Sequence, residues 1–117
     1  MKKILVVDDI AFSRLSVKTL LEKSGFQVVG ESKNGTTAIE MYKKLKPEIV
    51  AIDMTMPGMD GIETLNEIIK FDSKAKIIML SSIGQETKIK KAVILGAKDF
   101  IVKPFMDDYL VKAVANL

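Results

Sequence analysis

Five short apolar runs recur along the chain at nearly even spacing: Lys3 to Val7, Gln27 to Gly30, Ile49 to Ile52, Lys76 to Leu80 and Asp99 to Val102. None alternates apolar with polar residues. Each therefore reads as a strand buried on both faces, and strands of that kind belong to parallel sheets covered by helices. The stretches between them carry helical period. Ala38, Met41, Tyr42 and Leu45 follow the i, i+3, i+4, i+7 template, and Ile89, Ala92 and Val93 its first three positions. Ile62, Leu65, Ile68 and Ile69 make a third stripe, and Leu110, Val114 and Leu117 a fourth. The first helix, roughly Phe12 to Ser24, is less regular. Leu15 lies off its Val17, Leu20, Leu21 stripe, which predicts cover on more than one side.

Punctuation agrees with this alternation. Gly25 and Gly96 stand where helices should stop, Asn34 where one should start, and Pro47 just past the end of the second helix. The pattern is (βα)5, an α/β doubly wound parallel five-stranded sheet with helices on both faces and right-handed crossovers. The expected strand order is the flavodoxin-like 2-1-3-4-5, which makes strands 1 and 3 neighbours. At 117 residues, with no linker or low-complexity segment, the chain is expected to form one domain over residues 1–117.

Two absences narrow the chemistry. The chain has no histidine and no cysteine, so it offers no imidazole base, no thiolate metal site and no disulfide framework. No apolar run approaches the ~20 residues of a membrane span, and the N-terminus is too short for a signal-peptide core. A cytoplasmic location is the expectation. The net charge is +3, but 17 basic residues are lysine and only Arg14 is arginine. Because base readout favours arginine, this balance reads as a lysine-rich solvated surface and not as a nucleic-acid binder.

Ligands of open parallel sheets bind outside the carboxyl ends of the strands. Asp8 and Asp9 follow the first strand, Asp53 the third, Ser81 and Ser82 the fourth, and Lys103 ends the fifth. Strand 2 contributes only Glu31 and Ser32. With strands 1 and 3 adjacent, three carboxylates converge on one crevice, and a hard divalent cation such as Mg²⁺ best relieves their repulsion. Mg²⁺ usually shares a phosphate oxygen, so the crevice suits phosphoryl chemistry, with a carboxylate as nucleophile, Lys103 neutralising one phosphoryl oxygen and the Ser81 hydroxyl bonding another. Each residue also has an ordinary use. Asp8 or Asp9 suits the N-cap of the first helix, Ser81 a turn, and Lys103 a solvated surface. A cap needs only one Asp, and all these residues share one sheet edge.

Four motifs in register carry a resemblance that covers essentially the whole chain: Val6-Val7-Asp8-Asp9, Ile52-Asp53 through Asp60-Gly61, Met79-Leu80-Ser81-Ser82, and Gly96-Ala97-Lys98-Asp99-Phe100 through Lys103-Pro104-Phe105. The chain resembles the receiver domain of two-component response regulators, and within that family the single-domain chemotaxis members. The resemblance implies that Asp53 accepts a phosphoryl group from a histidine kinase. It also implies Mg²⁺ bound directly by Asp9 and Asp53, with Asp8 helping mainly through water and the backbone carbonyl of Thr55 completing the protein ligands. Ser81 and Lys103 take the phosphate roles, and Lys103-Pro104 is a cis bond. Such a domain is a signalling switch, catalysing only its own phosphoryl transfer and dephosphorylation. The hydroxyl at Ser81 is drawn inward on phosphorylation and the ring of Phe100 follows, which remodels the surface of helix 4, strand 5 and helix 5 for a downstream protein. A flagellar motor switch is one candidate for that protein. The lysines on the surface, Lys88, Lys90, Lys91 and Lys98, suit an acidic or amphipathic segment as well as plain solvation. No nucleic acid or membrane partner is expected, and the chain is expected to be monomeric.

Two departures from the family pattern stand out. Phe100 replaces the tyrosine that chemotaxis members often carry, so the ring is kept without the hydroxyl. Thr55 and Ile83 occupy positions that influence how water reaches the acyl phosphate, and an apolar Ile83 predicts slow dephosphorylation. A phosphorelay intermediate and a receiver belonging to a larger regulator share every one of these residues. A Mg²⁺-dependent aspartyl phosphatase would want a carboxylate where Thr55 stands. A flavin-binding relative would want a glycine-bearing first loop in place of Asp8-Asp9-Ile10-Ala11-Phe12-Ser13.

Overall fold

Strands and helices alternate without exception in the computed structural model, which describes residues 2–117. The order is β1 (Lys3–Val7), α1 (Ala11–Lys23), β2 (Gln27–Ser32), α2 (Gly35–Leu45), β3 (Ile49–Asp53), α3 (Gly61–Phe71), β4 (Ile77–Ser82), α4 (Glu86–Leu95), β5 (Asp99–Lys103) and α5 (Asp107–Ala115). The five strands form one parallel sheet in the order β2-β1-β3-β4-β5, the flavodoxin-like order expected for a (βα)5 chain. No described helix is long and apolar enough to cross a membrane.

Strand periodicity divides the core in two. Leu5, Val7, Val50, Ile52, Ile77 and Met79 face α2, α3 and α4, where they meet Ala38, Leu65, Ile68 and Ala92. Ile4, Val6, Ala51, Ile78, Leu80 and Ile101 face the other way, toward Val17 and Leu21 of α1 and Leu110 and Val114 of α5. Continuous apolar runs are what such a sheet requires, since successive residues alternate between two buried faces. The punctuation also holds. Asn34 caps α2 by accepting the Thr37 N–H at 2.8 Å. Gly25 and Gly96 close α1 and α4 with φ of 93° and 123°, a region open to glycine without steric penalty.

Three expectations are corrected. The strands extend past their apolar runs, so that β3, β4 and β5 take in Asp53, Ser81 and Lys103. Ladder pairing is a backbone property and continues under polar side chains, with Asp53 opposite Leu80 and Ser82 opposite Lys103. Leu15 is not covered by a second layer but is 57% exposed, while Val17 and Leu21 make the buried side of α1. Val93, placed on the α4 core stripe by its spacing, is 48% exposed. Here α4 leans on α3 and β4 and leaves the outward face of the edge strand β5 open. Phe100 and Val102 therefore line a shallow groove with Ile83, Val93 and Ile94, instead of being buried on both sides.

Candidate functional site

The carboxyl ends of β1, β3, β4 and β5 deliver the site. Asp8 directly follows β1, and its N–H donates to the carbonyl of Ser32 at 3.0 Å, which fixes the exit of the strand. Its side chain is fully buried. Oδ1 accepts the Ile10 N–H at 3.0 Å, while Oδ2 accepts the Ser13 hydroxyl and the Lys103 ammonium. The N-cap of α1 is Ile10, with no side-chain cap, so neither Asp8 nor Asp9 plays the capping part.

Asp53 is the last residue of β3 and is buried. Its position is enforced from behind by Gly61, the first residue of α3. A Cβ on Gly61 would stand 2.4 Å from the Asp53 carbonyl oxygen and 2.7 Å from Met54 Cα, so only glycine lets α3 start this close to the end of β3. Asp60 caps α3 by accepting the Glu63 N–H at 2.9 Å.

Lys103 reaches back from the end of β5. Its Nζ lies 3.2 Å from Asp53 Oδ1, 3.2 Å from Asp8 Oδ2 and 3.0 Å from Ser13 Oγ. The cis Lys103-Pro104 bond is present. Ser81, on β4, is buried at 1% exposure, and its hydroxyl has no hydrogen-bond partner among the described residues.

Carboxylate oxygens of Asp8, Asp9 and Asp53 lie within 4.8 Å of one another. One ammonium against three carboxylates leaves negative charge in excess, in a place partly removed from water. Burial pushes the Asp53 carboxyl above the ordinary range, the charges of Asp8 and Asp9 push the same way, and Lys103 opposes them. Hard oxygen donors carrying surplus negative charge are the donor set Mg²⁺ prefers, so the residues fit that ion.

Every residue named from sequence as a candidate for this site lies at the same edge of the sheet, apart from Phe100, which is three residues before Lys103 on β5 and 42% exposed. The side chain of Thr55 points to solvent, and its Oγ1 accepts from Gln85 Nε2 at 2.7 Å. Gln85 Oε1 in turn accepts the Ser82 N–H at 2.6 Å, which ties the loop after β3 to the loop after β4. The sequence reading missed Ser13, Arg14 and Gln85. Arg14 donates through Nη1 to the Asp8 carbonyl at 2.7 Å and lies 3.4 Å from Glu31. A serine, an arginine or a glutamine near a helix start has no distinguishing spacing. Only the packing of α1 and α4 brings them to the rim.

Residues 4–115 match the family of response regulator receiver domains. The chain is 50% identical over 113 residues to the chemotaxis protein CheY of Thermotoga maritima, covering 97% of this chain and 94% of that one. It is 50% identical over 112 residues to the chemotaxis protein CheY of Bacillus subtilis, covering 96% and 93%. Among solved structures it is similar to a chain of the CheX-CheY-BeF3-Mg²⁺ complex from Borrelia burgdorferi, with a TM-score of 0.93 and 36% identity over 98% of this chain and 87% of that one.

Proposed function

The chain belongs to the response regulator receiver domain family, and we propose that Asp53 is the residue through which it receives its signal. In this reading a carboxylate oxygen of Asp53 attacks the phosphorus of a phosphohistidine on a histidine kinase. The O–P bond forms as the P–N bond breaks, and the imidazole leaves with the electron pair. The observation that carries it is the meeting of three carboxylates within 4.8 Å with a lysine that bonds two of them at 3.2 Å.

The carboxylates of Asp8, Asp9 and Asp53, with the backbone carbonyl of Thr55, would hold Mg²⁺. When bound, the ion supplies positive charge that screens the carboxylates from one another and from the incoming phosphoryl oxygens. Lys103 exchanges its bond to Asp53 for one to a phosphoryl oxygen, and the unpartnered Ser81 hydroxyl gains an acceptor. The pull on Ser81 biases a two-state equilibrium in which Phe100, exposed on β5, turns into the space Ser81 vacates. The groove between α4 and β5 then changes shape, and a downstream protein reads it. Relatives named as chemotaxis proteins favour an output in chemotaxis, a flagellar motor switch among the targets, and a cytoplasmic place of work. Ile83 is 79% exposed and offers no hydrogen bond to an attacking water, which favours slow dephosphorylation.

Incubation with Mg²⁺ and acetyl phosphate, followed by intact-mass measurement, tests this. One phosphoryl adduct that disappears in Asp53→Asn and in the presence of EDTA is the expected result. An adduct unaffected by Asp53→Asn would overturn the assignment.

A further inference from the structure

A lysine ammonium has three protons to give, and in this site all three have a named acceptor. Lys103 Nζ donates to Asp53 Oδ1 at 3.2 Å, to Asp8 Oδ2 at 3.2 Å and to Ser13 Oγ at 3.0 Å, which is the shortest of the three. Ser13 sits in the first turn of α1, and its single hydroxyl proton goes to Asp8 Oδ2. The oxygen of Ser13 therefore meets the ammonium with a lone pair, and its direction is set by the bond it donates. Asp8 in turn is held at Oδ1 by the Ile10 N–H and at its carbonyl by Arg14. The result is a closed ring of Lys103, Ser13 and Asp8, anchored to the start of α1 and touching the proposed phosphoacceptor through only one of the three lysine bonds.

From this arrangement we propose that Ser13 is a positioning residue for phosphoryl transfer, holding the Lys103 ammonium at the mouth of the site while Asp53 reacts. The proposal rests on Asp53 being the acceptor. As Asp53 is esterified, its bond to Lys103 is the one that is exchanged, and the two bonds within the ring remain. They keep the charge on a flexible four-carbon stem where an incoming phosphoryl oxygen needs it, so little ordering is left to do during the reaction. Without the hydroxyl, the ammonium keeps only carboxylates as partners, Asp8 Oδ2 loses a donor, and the stem is free to swing toward water, since Lys103 is one-quarter exposed.

The test compares the full chain with Ser13→Ala and Ser13→Thr, using two measurements. The first is the rate at which the Asp53 adduct forms from acetyl phosphate at saturating Mg²⁺. The second is the ¹H–¹⁵N signal of the Lys103 ammonium in metal-free protein, which is sharp only if the group is held and its protons exchange slowly. Ser13→Ala is expected to phosphorylate about tenfold more slowly, the loss of one charge-assisted hydrogen bond, and to lose the ammonium signal. Ser13→Thr keeps the hydroxyl and is expected to restore both. Thermal melts show that each variant is folded, and neither measurement should follow small changes in melting temperature. A Ser13→Ala protein phosphorylated within twofold of the wild type, or a folded Ser13→Thr protein as slow as Ser13→Ala, overturns the positioning role alone. A wild-type chain that takes no phosphoryl group on Asp53 overturns the functional reading itself.

Discussion

Gly61 touches the back of Asp53: a Cβ placed on it would stand 2.4 Å from the Asp53 carbonyl oxygen, inside any permitted contact. Its N–H donates to the Met54 carbonyl at 3.0 Å, so α3 is pinned directly behind the proposed phosphoacceptor. The atoms in the way are backbone and cannot rotate aside. Gly61→Ala is expected to destabilise the fold by about 2–3 kcal/mol, in the range of overpacked cores, and to displace the end of β3. Urea denaturation gives the first quantity. A chain with wild-type stability would show that α3 can withdraw without penalty.

Ser81 should behave in the opposite sense. Its hydroxyl is buried without a partner, and leaving such a group unpaired costs roughly 1–3 kcal/mol. Ser81→Ala is therefore expected to melt at or above the wild-type temperature while binding beryllofluoride with Mg²⁺ about tenfold more weakly, because the bond it lacks is the one proposed to the phosphoryl group. Calorimetry and a beryllofluoride titration separate the two effects.

Asp53 links the site to pH. Burial raises its carboxyl above the ordinary 3.8, so the native state binds a proton more readily than the unfolded chain does. The stability this contributes is complete below pH 3.8 and is lost as pH rises through the higher native value, above which the carboxylate is ionised and desolvated. Asp53→Asn is expected to raise the melting temperature of the metal-free protein at pH 7, and the gain should vanish as pH falls below 3.8. Mg²⁺ should stabilise the wild type more than the variant. A gain that grew on acidification would contradict the sign.

Gln85 spans two loops, giving a hydrogen bond to Thr55 and taking one from the Ser82 N–H. Both bonds are exposed, so each contributes roughly 0.5–1.5 kcal/mol. Gln85→Ala is expected to speed amide exchange at Ser82 about two- to tenfold and to leave the global melt nearly unchanged. Residue-resolved hydrogen exchange checks it, and an unchanged Ser82 rate would mean that its N–H finds another acceptor.

The fold was legible because its signal is local. Val6, Ile52, Met79 and Ile101 sit in unbroken apolar runs, and a strand buried on both faces must look like that. The acidic part of the site was legible for a related reason. In a parallel sheet the residues just past each apolar run share one edge, so Asp8, Asp9 and Asp53 come together once strands 1 and 3 are neighbours, as the flavodoxin-like order makes them. The contacts that escaped depended on tertiary placement. Val93 fills a helical position that commonly faces a core, and its exposure follows from where α4 leans, while Leu15 lies off the buried stripe of α1 and finds no second layer to cover it. Ser13 and Gln85 are polar residues at the starts of helices, and nothing in their neighbours reveals that one faces Lys103 and the other spans to Thr55. The ends of β3, β4 and β5 lie beyond the apolar runs because hydropathy records side chains, whereas the ladder runs through backbone.

Lys103 and Asp8 bond to each other from positions 95 residues apart. In a parallel sheet every strand pairing is non-local, and such pairings come late in folding because each must first close a long loop. The acceptor pocket is therefore complete only when β1, β3 and β5 have all joined the sheet. A chain stalled with its last strand undocked would present Asp53 without its lysine. The distance that separates these two residues in sequence ties the assembly of the site to the docking of β5, the last strand of the sheet, against β4.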